Sequence, residues 1–308
     1  MSPPLVSLAL ALALAAVTPR MVPAPDRGEV RVRYLFSLTA HTGKTTLDVP
    51  GLSWDPEARE LFVLFAGDLR VFNASGMEIY RFNRQPELGW LQSVTPLPGG
   101  DLLLWTVKEG QSRFVRCDFR GRPLGEFTLS GVPPDLVGIG RIGPFRAGDR
   151  LYFPEETGKR LAVTSLEGEF IAVRDLTLKF GDEEDKLEKE DLDRGGFWID
   201  EKENVYFSFP LIFHVAVLGP DGKQRGFGQK GSTVGKFNVI GNLAADEDGY
   251  VYVADVLKST VMVFNSEFRY VGQVAGIHRP AGILYGGGKL FVAQGRGAGV
   301  AVFEVLRN

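Results

Sequence analysis

Cysteine occurs once in the 308 residues. Cys117 has no intrachain partner, and neither a Cys-x-x-Cys-His haem attachment nor a Cys/His zinc spacing can be assembled. It stands in "FVRCDF" at an alternating strand position, where an inert, half-buried thiol is expected. Histidine is almost as scarce, with His41, His214 and His278 at unrelated places that give no ligand spacing. Basic excess is absent too, since the net charge is −3. Nearly all the asymmetry lies in "DEEDKLEKEDLD", residues 182–193, with eight carboxylates against two lysines. Without a basic stripe elsewhere, nucleic acid is excluded as a partner.

Long apolar runs are missing, with one exception. "LVSLALALALAAV", residues 5–17, is short for a membrane span and fits the h-region of an export signal. Ala13-Leu14-Ala15 and Val22-Pro23-Ala24 are the small-residue triplets where cleavage is expected. Residues 1–24 are therefore read as a signal, or as a retained anchor, and left out of the fold. The remainder is expected to be periplasmic or extracellular, touching a membrane only through an uncleaved N-terminus.

Glycine and proline are plentiful, 38 and 18 residues, as suits a turn-rich β protein. Short strands recur: "LFVLF" from Leu61, "LLLWT" from Leu102, "LYFPE" from Leu151, "VYFSF" from Val205, "VYVAD" from Val251 and "LFVAQ" from Leu290. Their spacings run from 39 to 54 residues. A second apolar strand follows each, at offsets of 8, 12 and then 10 four times running. Six copies at this period predict an all-β, six-bladed propeller over residues 28–308, with four antiparallel strands per blade. The last copy, ending "VAVFEVLRN", lacks an outer strand, while "VRVRYLFSL" before the first copy has no partner. The two ends are thus expected to join and close the ring, which removes open edges.

"FGQKGSTVGKFNVIGNLAADEDGYVYVADVLKSTVMVF", residues 227–264, resembles the NHL repeat: a Gly-spaced lead-in, an acidic turn ending in Gly, "VYVAD" and a closing "VxVF" strand. The first and sixth copies follow the pattern more loosely. The resemblance implies a six-bladed propeller that serves mostly as a binding platform and occasionally as an enzyme.

Other motifs have plainer readings. "HTGKTT", residues 41–46, ends like a phosphate loop but lacks the opening glycine and a following helix. The acidic run lacks the order of a calcium loop and reads as a solvated insertion at 180–194 between blades three and four. A lactonase of the gluconolactonase type would hold a divalent metal in the channel with Glu, Asn and Asp from the innermost strands. In register, those positions read Pro50, Leu91, Gly140, Arg194, Ile240 and Arg279, and widening the window adds Asp193, Asn242 and His278. That is a poor supply of oxygen ligands, so no metal and no cofactor is expected.

A ring four residues after each strand start is more informative: Phe65, Thr106, Glu155, Phe209, Asp255 and Gln294. It falls near the rim of one face, where the fourth copy carries the apolar turn "FPLIF" with Leu211, Ile212 and Phe213. Apolar side chains in a surface turn point to recognition. Thr106, Glu155, Phe209, Leu211, Ile212, Phe213, Asp255 and Gln294 are therefore the expected binding residues. Together these readings give an exported, non-catalytic binding or scaffold propeller with a protein or small-molecule partner in the cell envelope or outside the cell. The alternative is a lactonase-like propeller hydrolase or lyase with a metal site in the channel.

Overall fold

The computed structural model describes residues 20–23, 30–38, 51–65, 67–82, 86–139, 143–178, 195–295 and 299–307, with side chains throughout except at 20–23. The acidic insertion, "HTGKTT", His41 and the whole apolar run 5–17 lie outside the described residues, as do Pro50, Gly140, Asp193 and Arg194.

Six antiparallel sheets are present. Counting outward from the axis, blade one is Gly51–Asp55, Glu60–Phe65, Asp68–Phe72 and Glu78–Phe82. Blade two is Trp90–Pro96, Leu102–Lys108, Gln111–Cys117 and Pro123–Phe127. Blade three is Phe145–Ala147, Arg150–Pro154, Arg160–Ser165 and Phe170–Asp175. Blade four is Gly196–Ile199, Val205–Phe209, His214–Leu218 and Gln224–Phe227. Blade five is Ile240–Ala245, Val251–Asp255, Thr260–Phe264 and Tyr270–Ala275. Blade six takes Pro280–Gly286, Lys289–Gln294 and Val300–Arg307 from the C-terminus, and Val30–Leu38 pairs outside them as its fourth strand, Val30 opposite Arg307 and Leu38 opposite Val300. The six-bladed all-β architecture read from the repeats is the one present. One strand was not foreseen: Arg20–Pro23 pairs antiparallel with Tyr270–Ala275 and gives blade five a fifth strand, so the expectation that the fold excludes all of residues 1–24 is corrected.

The sequence builds these blades by alternation. Second and third strands are apolar on both faces, because each face packs on a neighbouring blade. Each neighbouring pair of blades shares one core cluster. Phe62, Leu69, Leu91 and Leu104 join blades one and two, and Leu103, Phe114, Leu151 and Phe153 join two and three. Tyr152, Leu161, Phe207 and Phe209 join three and four, and Tyr206, Val217, Leu243 and Met262 join four and five. Tyr252, Val263, Tyr285 and Phe303 join five and six, and Leu61, Phe72, Phe291 and Val302 join six and one. Each such side chain, fully buried, contributes about 1.5–3 kcal/mol.

Acidic turns tie the blades at the face where innermost strands end. Asp55, Asp200 and Asp246 each accept backbone N–H bonds from the turn that follows, Asp246 Oδ1 from Asp248 (3.0 Å) and Tyr250 (2.9 Å). Gly249 sits at φ +82 there, which a side chain would strain. The opposite face carries the starts of the innermost strands and the turns between second and third strands.

Candidate functional site

The expected recognition ring folds inward. Thr106, Glu155, Phe209, Asp255 and Gln294 do lie at the second-strand ends of blades two to six, but all five are buried. They are therefore not an exposed patch, and the reason is visible in their partners. Asp255 accepts N–H bonds from Asn238 (2.7 Å), Val239 (3.3 Å) and Lys258 (3.0 Å), fixing the segment that enters its own innermost strand. Gln294 Oε1 does the same for the His278 N–H at 3.0 Å. Glu155 accepts from the Thr157 hydroxyl (2.6 Å) and from Arg160 (2.9 Å), whose guanidinium also holds Asp135 at 2.7 Å. Burial alone would raise the Glu155 pKa, but Arg160 and Thr157 together hold it below the ordinary carboxylate range. Phe209 belongs to the core between blades three and four.

The "FPLIF" turn is half-buried. Ile212 packs against the core between blades three and four, and Phe213 against the core between blades four and five, its backbone at φ +57. Only Leu211 is broadly exposed, at 62%. One exposed leucine is ordinary for a surface, so the eight residues do not form the patch expected of them.

The channel mouth on this face is built from the first residues of the innermost strands. In blades four to six these pack closely. Gly195 N–H donates to Ser208 O (2.9 Å), and the Ser208 hydroxyl crosses to the next blade to donate to Gly241 O (2.6 Å). A Cβ on Gly196 would come within 2.9 Å of Asn242 Cα, so glycine is needed for the blades to approach. Similar staples join the earlier blades, Ser53 to Val94 O (2.6 Å) and Thr95 to Pro144 O (2.9 Å). The segment that leads into the innermost strand of blade six, on this face, carries His278 and Arg279. Both side chains are exposed, while their backbones are pinned: His278 by Gln294, and Arg279 O by the Gly295 N–H at 3.1 Å. Arg279 sits at φ +46, a left-handed conformation that costs a non-glycine residue about 1 kcal/mol or more.

Deeper in the channel lies Trp198, on the innermost strand of blade four. It packs against the cores between blades four and five, five and six, and six and one. The indole therefore reaches across the axis and narrows the channel below the mouth. Nothing in the repeat register marks Trp198; a tryptophan in an innermost strand, where small residues let blades converge, was the available signal.

A divalent metal does not fit the described residues. Among them no group of three His, Cys, Asp or Glu side chains comes together, and Glu155 and Asp255, which point toward this face, are already engaged. His214 starts the third strand of blade four, where burial pulls its pKa down.

No family model matches the chain, and no curated protein does. Solved structures do. The chain is similar to a gluconolactonase from Xanthomonas campestris, with a TM-score of 0.58, 13% identity, and coverage of 94% of this chain and 95% of that one. It is similar to virginiamycin B lyase from Staphylococcus aureus, solved with quinupristin as a catalytically inactive His-to-Ala variant, with a TM-score of 0.51, 10% identity, and coverage of 90% and 100%. It is also similar to regucalcin, a calcium-binding protein from Agrobacterium tumefaciens, at a TM-score of 0.55, 11% identity, and coverage of 85% and 90%. At these identities the shared property is the six-bladed ring. Rings of this kind include a lactonase and a lyase, and the expectation of a non-catalytic scaffold is corrected on that finding.

Proposed function

We propose that this propeller is an enzyme of the hydrolase or lyase type that opens an ester or lactone bond at the channel mouth. The observation that carries the reading is the pair His278 and Arg279, exposed just before the innermost strand of blade six on backbones pinned by Gln294 and Gly295. The whole-ring likeness to a gluconolactonase and to a lyase that loses activity on a His-to-Ala change supports it.

In this reading His278 acts as the general base. The imidazole takes a proton from water as the oxygen attacks the ester carbonyl, and returns it to the departing alkoxide when the C–O bond breaks. Arg279 supplies a fixed positive charge beside the oxyanion, a role suited to a group that never loses its proton. Trp198 below the mouth limits access of bulk water from the other end.

The NHL-type repeat is proposed as the frame, supported by the bonded Asp246–Gly249 turn and the Asp255 loop tie. Export is proposed on residues 5–17. The activity is tested by assaying the purified chain against a panel of lactones and aryl esters. Turnover of at least one class above the protein-free rate is expected, and a chain inert to the whole panel would remove the reading.

A further inference from the structure

Outer strands of a propeller expose a row of backbone N–H and C=O groups, and charged side chains there discourage other chains from pairing. Five of the six outermost blade strands carry such charges: Glu78 and Arg81, Glu126, Arg174 and Asp175, Arg225, and Arg31 and Arg33. The outermost strand of blade five, "YVGQVA" at Tyr270–Ala275, carries none. It is also the strand that pairs with the blade's fifth strand, Arg20–Pro23, with Arg20 opposite Ala275 and Pro23 opposite Gly272. Its Val271 and Val274 are buried in the core between blades five and six, together with Val30 and Val32 of blade six's outer strand, whereas the outer strands of blades one to four are largely exposed.

The geometry points to a strand-acceptor edge on blade five, guarded by the chain's own Arg20–Pro23, and we propose that a second copy of the chain pairs with this edge when the guard is removed. The absence of charge at the edge and the presence of a docked strand are separate observations, one in sequence and one in backbone pairing. A second copy suits the edge because Tyr270–Ala275 laid antiparallel on itself makes a two-fold, self-complementary contact that closes as a dimer. The two small-residue triplets then have different outcomes. A chain that starts at Ala16 keeps the guard, and a chain that starts at Pro25 lacks it.

The test compares these two chains by sedimentation and by backbone hydrogen exchange. The chain from Ala16 is expected to be a monomer with slow exchange in Tyr270–Ala275. The chain from Pro25 is expected to dimerise as concentration rises, and Gln273→Lys in it to restore the monomer. If the shorter chain folds poorly, Met21→Pro with Val22→Pro in the longer chain serves instead, since one of two consecutive N–H groups must face the partner strand. A guardless chain that stays monomeric at every concentration would overturn the proposal. So would equally fast exchange of Tyr270–Ala275 in both chains.

Discussion

At the scale of single residues, burial sets the chemistry of the few reactive groups. Cys117 is fully buried in the core between blades one and two, not half-buried as its strand position suggested. Burial first, and then the Asp118 and Asp101 carboxylates, push its thiol up to about 12. Since only the thiolate is nucleophilic, native protein at pH 8 is expected to resist iodoacetamide while urea-unfolded protein reacts fully. Mass spectrometry of the alkylated fraction checks this, and rapid labelling of the native chain would contradict it. His214 is governed by the same physics in the other direction, because burial lowers its pKa. Its folded value lies below the unfolded value of about 6.5, so the unfolded chain binds more protons between the two. The stability due to neutral His214 is complete above that pH and is lost as pH falls through the folded value. Urea midpoints measured from pH 7.5 downward should therefore fall less steeply for His214→Gln than for the unaltered chain. Parallel curves for the two proteins would show that His214 has no such role.

At the scale of elements, the turns and the last strand carry the argument. Arg307, near the end of Val300–Arg307, reaches the first turn of blade five and bonds Asp246 Oδ2 at 2.5 Å, with Asp248 beside it. The Asp246 side chain is fully buried, and besides Arg307 its Oδ2 has only the Tyr252 hydroxyl at 2.8 Å. Removing one partner of a buried pair costs about 3–5 kcal/mol because a charge is left uncompensated. Arg307→Ala should approach the lower end of that range, since Tyr252 and the turn amides remain. Asp248→Ala, at an exposed carboxylate, should cost less than about 1 kcal/mol. Chemical denaturation separates the two, and equal losses would mean that the buried contact is not special. The strands themselves were legible because the offset of 10 residues between second and third strands repeats almost unchanged. What was not legible was depth. Sequence period places Glu155, Phe209 and Gln294 at the strand ends, but only the packed ring shows that the incoming segments cover them. Arg20–Pro23 escaped for another reason: a four-residue strand beside an apolar signal-like run has no period of its own.

At the scale of the whole molecule, closure and site location follow from one arrangement. Six shared cores run round the ring, and the sixth joins the last blade to the first through Leu38, Leu61, Phe291 and Val302. The N-terminal strand on blade six adds an eight-residue ladder to that seam. A ring held this way presents two unlike ends, one where blades one, four and five carry bonded acidic turns and one where innermost strands begin. The second end carries His278 and Arg279, and there the enzymatic reading is placed. The most direct measurement is kcat/KM on a turned-over ester or lactone for the unaltered chain and for His278→Ala, with Tm recorded for both. His278 is exposed, so the substitution should leave Tm nearly unchanged. Loss of a general base should lower kcat/KM about 10²–10⁴-fold. A His278→Ala protein that folds normally and turns over substrate at the unaltered rate would contradict the account.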